Sequence, residues 1–220
     1  MTEAASTGRT REDVDARVRA ERERLVAVLE GLDESQWATP SLCAGWSVRH
    51  LVVHLLMPYE LSVPRFLVLL ARARFSFDRL ADRFATTDRR SPAEVVAGLR
   101  ATEKRRFNVP GAPVEAPLSH LVCHAEDVYR PLGIPSPTEL DSIVIVLDEL
   151  TRAGSPATFV PGLRDGLALS ATDTDWRSGE GLEVSGPAAA LMTTVIGRTA
   201  ALDELSGDGV AVLRARLKGD

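Results

Sequence analysis

Two five-residue segments constrain this chain more than any other feature. HLVVH, with His50 and His54, and HLVCH, with His120 and His124, hold all four of its histidines at identical spacing. Side chains four residues apart share one face of a helix, about a turn distant, so each pair can grip a metal ion if its segment is helical. At about 100° per residue, His54 and His124 lie at the same offset from the apolar stripes of their segments. Those stripes are Val48, Leu51, Val52, Leu55 and Leu118, Leu121, Val122, Ala125. Both histidines therefore flank a buried seam, where two antiparallel helices of a bundle aim them at a shared point. Neutral imidazoles suit zinc, nickel, iron or copper, and three protein ligands leave one coordination position open for water or substrate. Four candidates compete for three places; His50, near the start of its helix, is read as exposed or supporting. Glu126 and Asp127, just after His124, are placed where they could orient a ligand imidazole, but surface carboxylates are the preferred reading.

The rest of the pattern fits a bundle. Residues 1–10 are small and polar and are expected to form a disordered tail. Val14, Val18, Leu25, Val28 and Leu29 recur at helical spacing and predict a first helix over Val14–Leu32, closed near Gly31. A loop with Trp37, Pro40, Gly45 and Trp46 follows, and Ser47 is positioned to cap the helix that carries His54, which Pro58 ends or kinks. A longer helix is expected over Glu60–Phe84, with Pro64 in its first turn. Ser91 and Pro92 open another that runs to about Phe107, and the second histidine helix spans Glu115–Tyr129.

Pro131, Gly133, Pro135 and Pro137 make the strongest break in the chain, so the boundary between a helical domain (11–135) and a small α+β domain (136–220) is set there. The second part reads as a helix over Thr138–Thr151, strands over Leu167–Ala171 and Leu182–Ser185 joined as a hairpin, and two further helices.

Composition narrows the partners. A net charge of −5 and a pI near 5.5 argue against nucleic acid, which is bound by clustered Lys and Arg. The locally basic stretch 65–90 alternates with acids, as a solvated helix face does. No apolar run is long enough for a membrane span, and the N-terminus lacks the apolar core of a secretory signal, so a cytoplasmic monomer or homodimer is expected. Cys43 and Cys123 are the only cysteines. Cys43 lies in a loop with no histidine at fixed reach and is read as a buried structural thiol; Cys123 points about 100° away from His124.

The stretch Trp37, Thr39, Pro40, Ser41, Leu42, Cys43, Gly45, Trp46, Val48, Arg49 and His54 resembles the entry motif of the mycothiol-dependent maleylpyruvate isomerase family, a branch of the DinB-like metalloenzymes. HLVCHAEDVYRPLG, from His120 to Gly133, looks like that family's second metal motif. The segments 166–175, 179–186 and 197–207 resemble its smaller C-terminal domain, so nearly the whole chain is covered. The resemblance implies a DinB-like four-helix bundle followed by a sterol-carrier-like α+β domain. It also implies a divalent metal, zinc first, on His54, His120 and His124, with Arg198 reaching over the metal cleft towards a carboxylate substrate. The isomerase proper is similar in having Glu where this chain has His120, whereas thiol transferases and other DinB-like relatives show His.

The implied activity is activation of a low-molecular-weight thiol, the actinobacterial thiol mycothiol, as a metal-bound thiolate that attacks a small electrophile. The product is a thiol conjugate or, after bond rotation and elimination, an isomer. Two other readings use the same residues. One is metal-assisted hydrolysis with Glu126 or Asp127 as proton carrier; the other is a non-catalytic metal or ligand-binding protein.

Overall fold

The computed structural model describes residues 10–105, 107, 109, 111–155 and 160–218. The expected tail thus lies outside the described residues except for Thr10, whose hydroxyl caps the first helix, α1 (Arg11–Glu30), in a reciprocal capping box with Asp13. Asp33 caps the short α2 (Glu34–Ala38), and Ser47 caps α3 (Val48–Glu60) with His50 as its partner three residues on. α3 runs through Pro58 and ends two residues later.

The long helix expected over Glu60–Phe84 is instead two, α4 (Val63–Arg72) and α5 (Phe77–Thr86). Arg74 and Phe75 separate them with φ of 55° and 58°, left-handed values that cannot continue a right-handed helix. Apolar spacing carries no signal of such a reversal. α6 (Pro92–Ala101) opens at Ser91 as expected but stops short of Phe107, giving way to a turn of 3₁₀ helix over Thr102–Lys104. α7 (Ala116–Tyr129) carries the second histidine pair.

α1, α3, α6 and α7 close a ring in which each helix packs on two of the others. Their seam is Leu25, Leu29, Val48, Leu51, Val52, Leu55, Val95, Leu99, Leu118 and Val122, all nearly inaccessible to solvent. At roughly 1.5–3 kcal/mol for each fully buried aliphatic side chain, this seam is the main source of the bundle's stability.

After the proline-rich break, α8 (Leu140–Thr151) packs against α7, and α9 (Ala188–Val195) packs against both. The apolar cluster is continuous across the break, from Val14 to Leu213. The strands are β1 (Leu167–Ala171), β2 (Arg177–Ser178) and β3 (Leu182–Gly186), in the order β2-β1-β3, and α10 (Gly209–Lys218) lies against β3. The hairpin expected between the two longer strands is not formed, because β1 and β3 pair in parallel, Leu167 beside Leu182 and Ala171 beside Gly186. The antiparallel partner of β1 is the two-residue β2. The chain then crosses under the end of β1 in only three residues, Gly179 to Gly181. Any Cβ at Gly181 would sit 2.0 Å from the Gly166 carbonyl oxygen, and its φ is +128°. Glycine is therefore required there, and the crossover is too tight to resemble the connections usual between parallel strands.

Trp176 donates to Asp148 and so ties this sheet to α8. None of the described helices is long and apolar enough to cross a membrane.

Candidate metal centre

α3 and α7 lie side by side and bring His54, His120 and His124 together, with their ligand nitrogens within 4.8 Å of one another. The ring centroids form an even triangle, 5.1 Å on each side, and the planes meet at 64°, 87° and 90°. The Nε2 atoms of His54 and His120 are 3.2 Å apart. Two nitrogens about 2.05 Å from one zinc at a tetrahedral angle are about 3.3 Å apart, so this separation fits a shared ion. Burial, reinforced by His124, pushes the His54 imidazole down to about 3. Burial and the two neighbouring histidines also hold His120 well below its ordinary value. Both rings are therefore neutral at pH 7, the form that coordinates. His54 Nδ1 is buried and has no partner among the described residues. Leaving it so costs roughly 1–3 kcal/mol, which coordination at the other nitrogen would offset.

His124 is held by a side chain read from the sequence as a surface carboxylate. Asp127 is completely buried, and its Oδ2 accepts a hydrogen bond from His124 Nδ1 at 3.0 Å. That bond leaves His124 Nε2 as the nitrogen free to coordinate an ion. Arg198 approaches from the loop after α9, donating from Nε to Asp127 Oδ1 at 2.9 Å and from Nη2 to Oδ2 at 3.1 Å. Burial alone would raise the Asp127 carboxyl, but the bonds from His124 and Arg198 outweigh it and bring it to about 2. Glu126 is equally buried; Arg130 bonds it and reaches Thr193 on α9 and Glu204. Both surface readings were wrong for one reason: an adjacent helix and loop cover this face of α7, and the apolar spacing of α7 alone does not show them.

Cys43 is a second correction. Its sulfur lies 3.8 Å from His124 Nδ1, 3.2 Å from Asp127 Oδ2 and 3.0 Å from Arg198 Nη2. The loop that carries it is fixed by Leu42, whose N–H donates to the Asp127 carbonyl, and by Gly45 at φ +81°. Cys43, His124 and Asp127 also lie within ligand distance of one another. That trio does not suit an ion, because Arg198 already supplies the positive charge and burial, with Asp127, pushes the thiol up to about 12. Cys123 is buried and takes no part in either cluster.

His50 stands apart from the triangle as the partner in the Ser47 capping box. Trp46 closes one side of the site, its ring 5.0 Å from that of His54 and its Nε1 donating to Asp82. Phe107 closes the other, with its ring 5.8 Å from that of His120.

Residues 18–109 match the family model described as the mycothiol maleylpyruvate isomerase N-terminal domain. This part of the chain is similar to that family's N-terminal domain. The match includes the entry motif and His54 and ends before α7. A solved structure of a mycothiol-dependent maleylpyruvate isomerase shares the fold at a TM-score of 0.54, with 15% identity over 91% of this chain and 93% of that one. A histidine-to-alanine mutant of such an isomerase does so at the same TM-score and 14% identity. No curated protein matches the sequence.

Proposed function

We propose that this chain is a metal-dependent, thiol-using enzyme of the mycothiol-dependent isomerase or S-transferase type, with zinc held by His54, His120 and His124. The observation that carries the reading is the convergence of three imidazoles, two of them forced neutral, from two helices, with Asp127 fixing the third. When bound, zinc lowers the pKa of a coordinated thiol into the neutral range. Residues 11–135 then supply the ligands and residues 136–220 supply Arg198.

The protein's own part is to orient and enclose. Asp127 keeps the proton on His124 Nδ1. Trp46 and Phe107 shield the imidazoles on two sides, keeping water from the reacting groups. Arg198 commits Nε and Nη2 to Asp127 and Cys43, and Nη1 makes no hydrogen bond among the described residues. That nitrogen is the group we assign to a carboxylate of the electrophile.

Metal analysis of the purified protein, followed by a screen of electrophiles with and without mycothiol, tests the reading. His54→Ala and His124→Ala should each lose the bound metal and thiol consumption together. If both persist in either variant, the proposal fails; turnover that needs metal but no thiol points to hydrolysis instead.

A further inference from the structure

The apolar seam of α1 is interrupted where it should be most apolar. Val14, Val18, Leu25 and Leu29 are buried, but the turn between Val18 and Leu25 presents Glu21 and Arg22. Glu21 pairs with Arg24. Arg22 is only 6% exposed, makes no ion pair among the described residues, and is met by Tyr59, which takes a side-chain hydrogen bond from it and whose ring lies 5.9 Å from the guanidinium carbon. A largely buried guanidinium without a countercharge is costly, and one neutral hydrogen bond and a cation–π contact offset only part of that cost.

Arg22 lines a cleft of about 730 Å³ between α1, the end of α3 and the segment before α7. Arg11 and Arg19 project into it from the same face of α1, and Arg105 faces them from the opposite wall. Among the described lining residues, Asp15 and Glu103 oppose these four arginines, so that part of the lining carries a net charge of +2 (four minus two). Phe107, its ring 5.6 Å from Tyr59 and 5.8 Å from His120, separates the cleft from the histidines.

We propose that this cleft binds a dianionic group, a phosphate monoester or a dicarboxylate, with Arg22 as its buried anchor and the rest of the ligand lying against Phe107 towards His120. The charge of the lining selects two negative charges over one, and the planar guanidinium fork suits the paired oxygens of either group. The direction of the ligand's remainder rests on the metal reading above; the binding of the dianion does not.

Calorimetric titration of the zinc-loaded full chain at constant ionic strength, with inorganic phosphate and with succinate as probes and acetate as the monoanion control, tests the proposal. We expect one saturable dianion site per chain, with acetate at least about tenfold weaker. Arg22→Met should weaken the dianion by about tenfold or more, the scale of one charge-assisted hydrogen-bond pair. The tighter of the two probes identifies the source as a phosphate ester or a dicarboxylate. The double variant Arg19→Ala with Arg105→Ala changes only exposed positions and should weaken binding several-fold, so the test does not depend on Arg22→Met folding. His54→Ala should leave dianion binding unchanged. Loss of dianion binding in His54→Ala would place the anion on the metal and overturn the cleft assignment, as would no saturable binding by the wild type or equal affinity in folded Arg22→Met. Retention of bound metal and thiol consumption by His54→Ala, with dianion binding intact, would instead sink only the proposed function.

Discussion

On the His124 side of the triangle, Arg198, Asp127 and Cys43 satisfy one another, and a buried carboxylate meets a guanidinium through two bonds of 2.9 and 3.1 Å. On the His120 side, 66 residues from His54 in sequence but equally close in space, Arg22 is buried against the ring and hydroxyl of Tyr59 and, among the described residues, pairs with no carboxylate. The same residue type is thus closed off at one end of the site and open at the other. A charge that is already paired holds a ligand-bearing helix in place. A charge left unpaired within a cleft instead marks where something outside the chain completes the structure. The contrast can be broken by removing one group from each side and comparing signs.

Asp127→Ala should have the largest effect. It removes the partner of His124 and strands Arg198, so we expect stability to fall by about 3 kcal/mol, the cost of breaking a buried pair. Zinc affinity should fall about 10- to 100-fold, as when the carboxylate behind a ligand imidazole is lost. Urea denaturation and competition with a chromophoric chelator measure the two. Unchanged zinc affinity would mean that Asp127 does not set the tautomer of His124.

Removing the metal should expose a pH dependence that belongs to the histidines themselves. His54 has a folded value of about 3, depressed below its ordinary 6.5. A depressed value contributes stability that is present above the unfolded pKa and lost as pH falls, because only the unfolded chain takes up the proton. Chelator-treated protein should therefore lose about 2 kcal/mol from this residue alone between pH 7 and pH 5. His120 acts in the same direction. A flat stability profile over that range would show that these imidazoles ionise in the folded state.

Much of this arrangement was legible in the sequence, and the unread parts have physical causes. The caps at Ser47 and Ser91, the helical spacing in α1, α3 and α7, and the pairing of the histidine segments are local patterns, and local patterns survive folding. The break at Arg74 and Phe75 is a backbone reversal without glycine, so apolar spacing ran straight through it. The parallel pairing of β1 and β3 depends on the three-residue crossover under Gly166, which turn chemistry read as a hairpin. Asp127 and Cys43 were misread because their environment is made by Arg198, 71 and 155 residues away in sequence. The spacing of three from His124 to Asp127 was visible, but spacing does not reveal what will bury a carboxylate.

Phe107→Ala probes the partition between the two sides. The ring makes edge contacts with Tyr59 and His120, so its loss should cost about 1 kcal/mol. Zinc release, followed by chelator capture, should become faster while the equilibrium affinity changes little, since no coordinating atom is removed. A large fall in affinity instead would make Phe107 part of the support of His120 rather than a cover.

The smallest effect on stability, and the one that tests the contrast most directly, belongs to Arg22→Met. Methionine keeps most of the volume and the apolar stem while removing the unpaired charge. The loss of the cation–π contact and of the hydrogen bond to Tyr59 costs about 1–2 kcal/mol, and relief of the desolvated charge offsets or exceeds it. In the absence of added anion, the variant should therefore unfold within about 1 kcal/mol of wild type, on the stable side if on either, opposite in sign to Asp127→Ala. Adding phosphate or succinate should then raise the wild-type melting temperature by more than that of Arg22→Met, because a ligand stabilises the folded form in proportion to how tightly it is bound. If Arg22→Met is as damaging as Asp127→Ala, and no anion restores the difference, then Arg22 is a structural member of the α1 seam. In that case the two sides of the site are built alike.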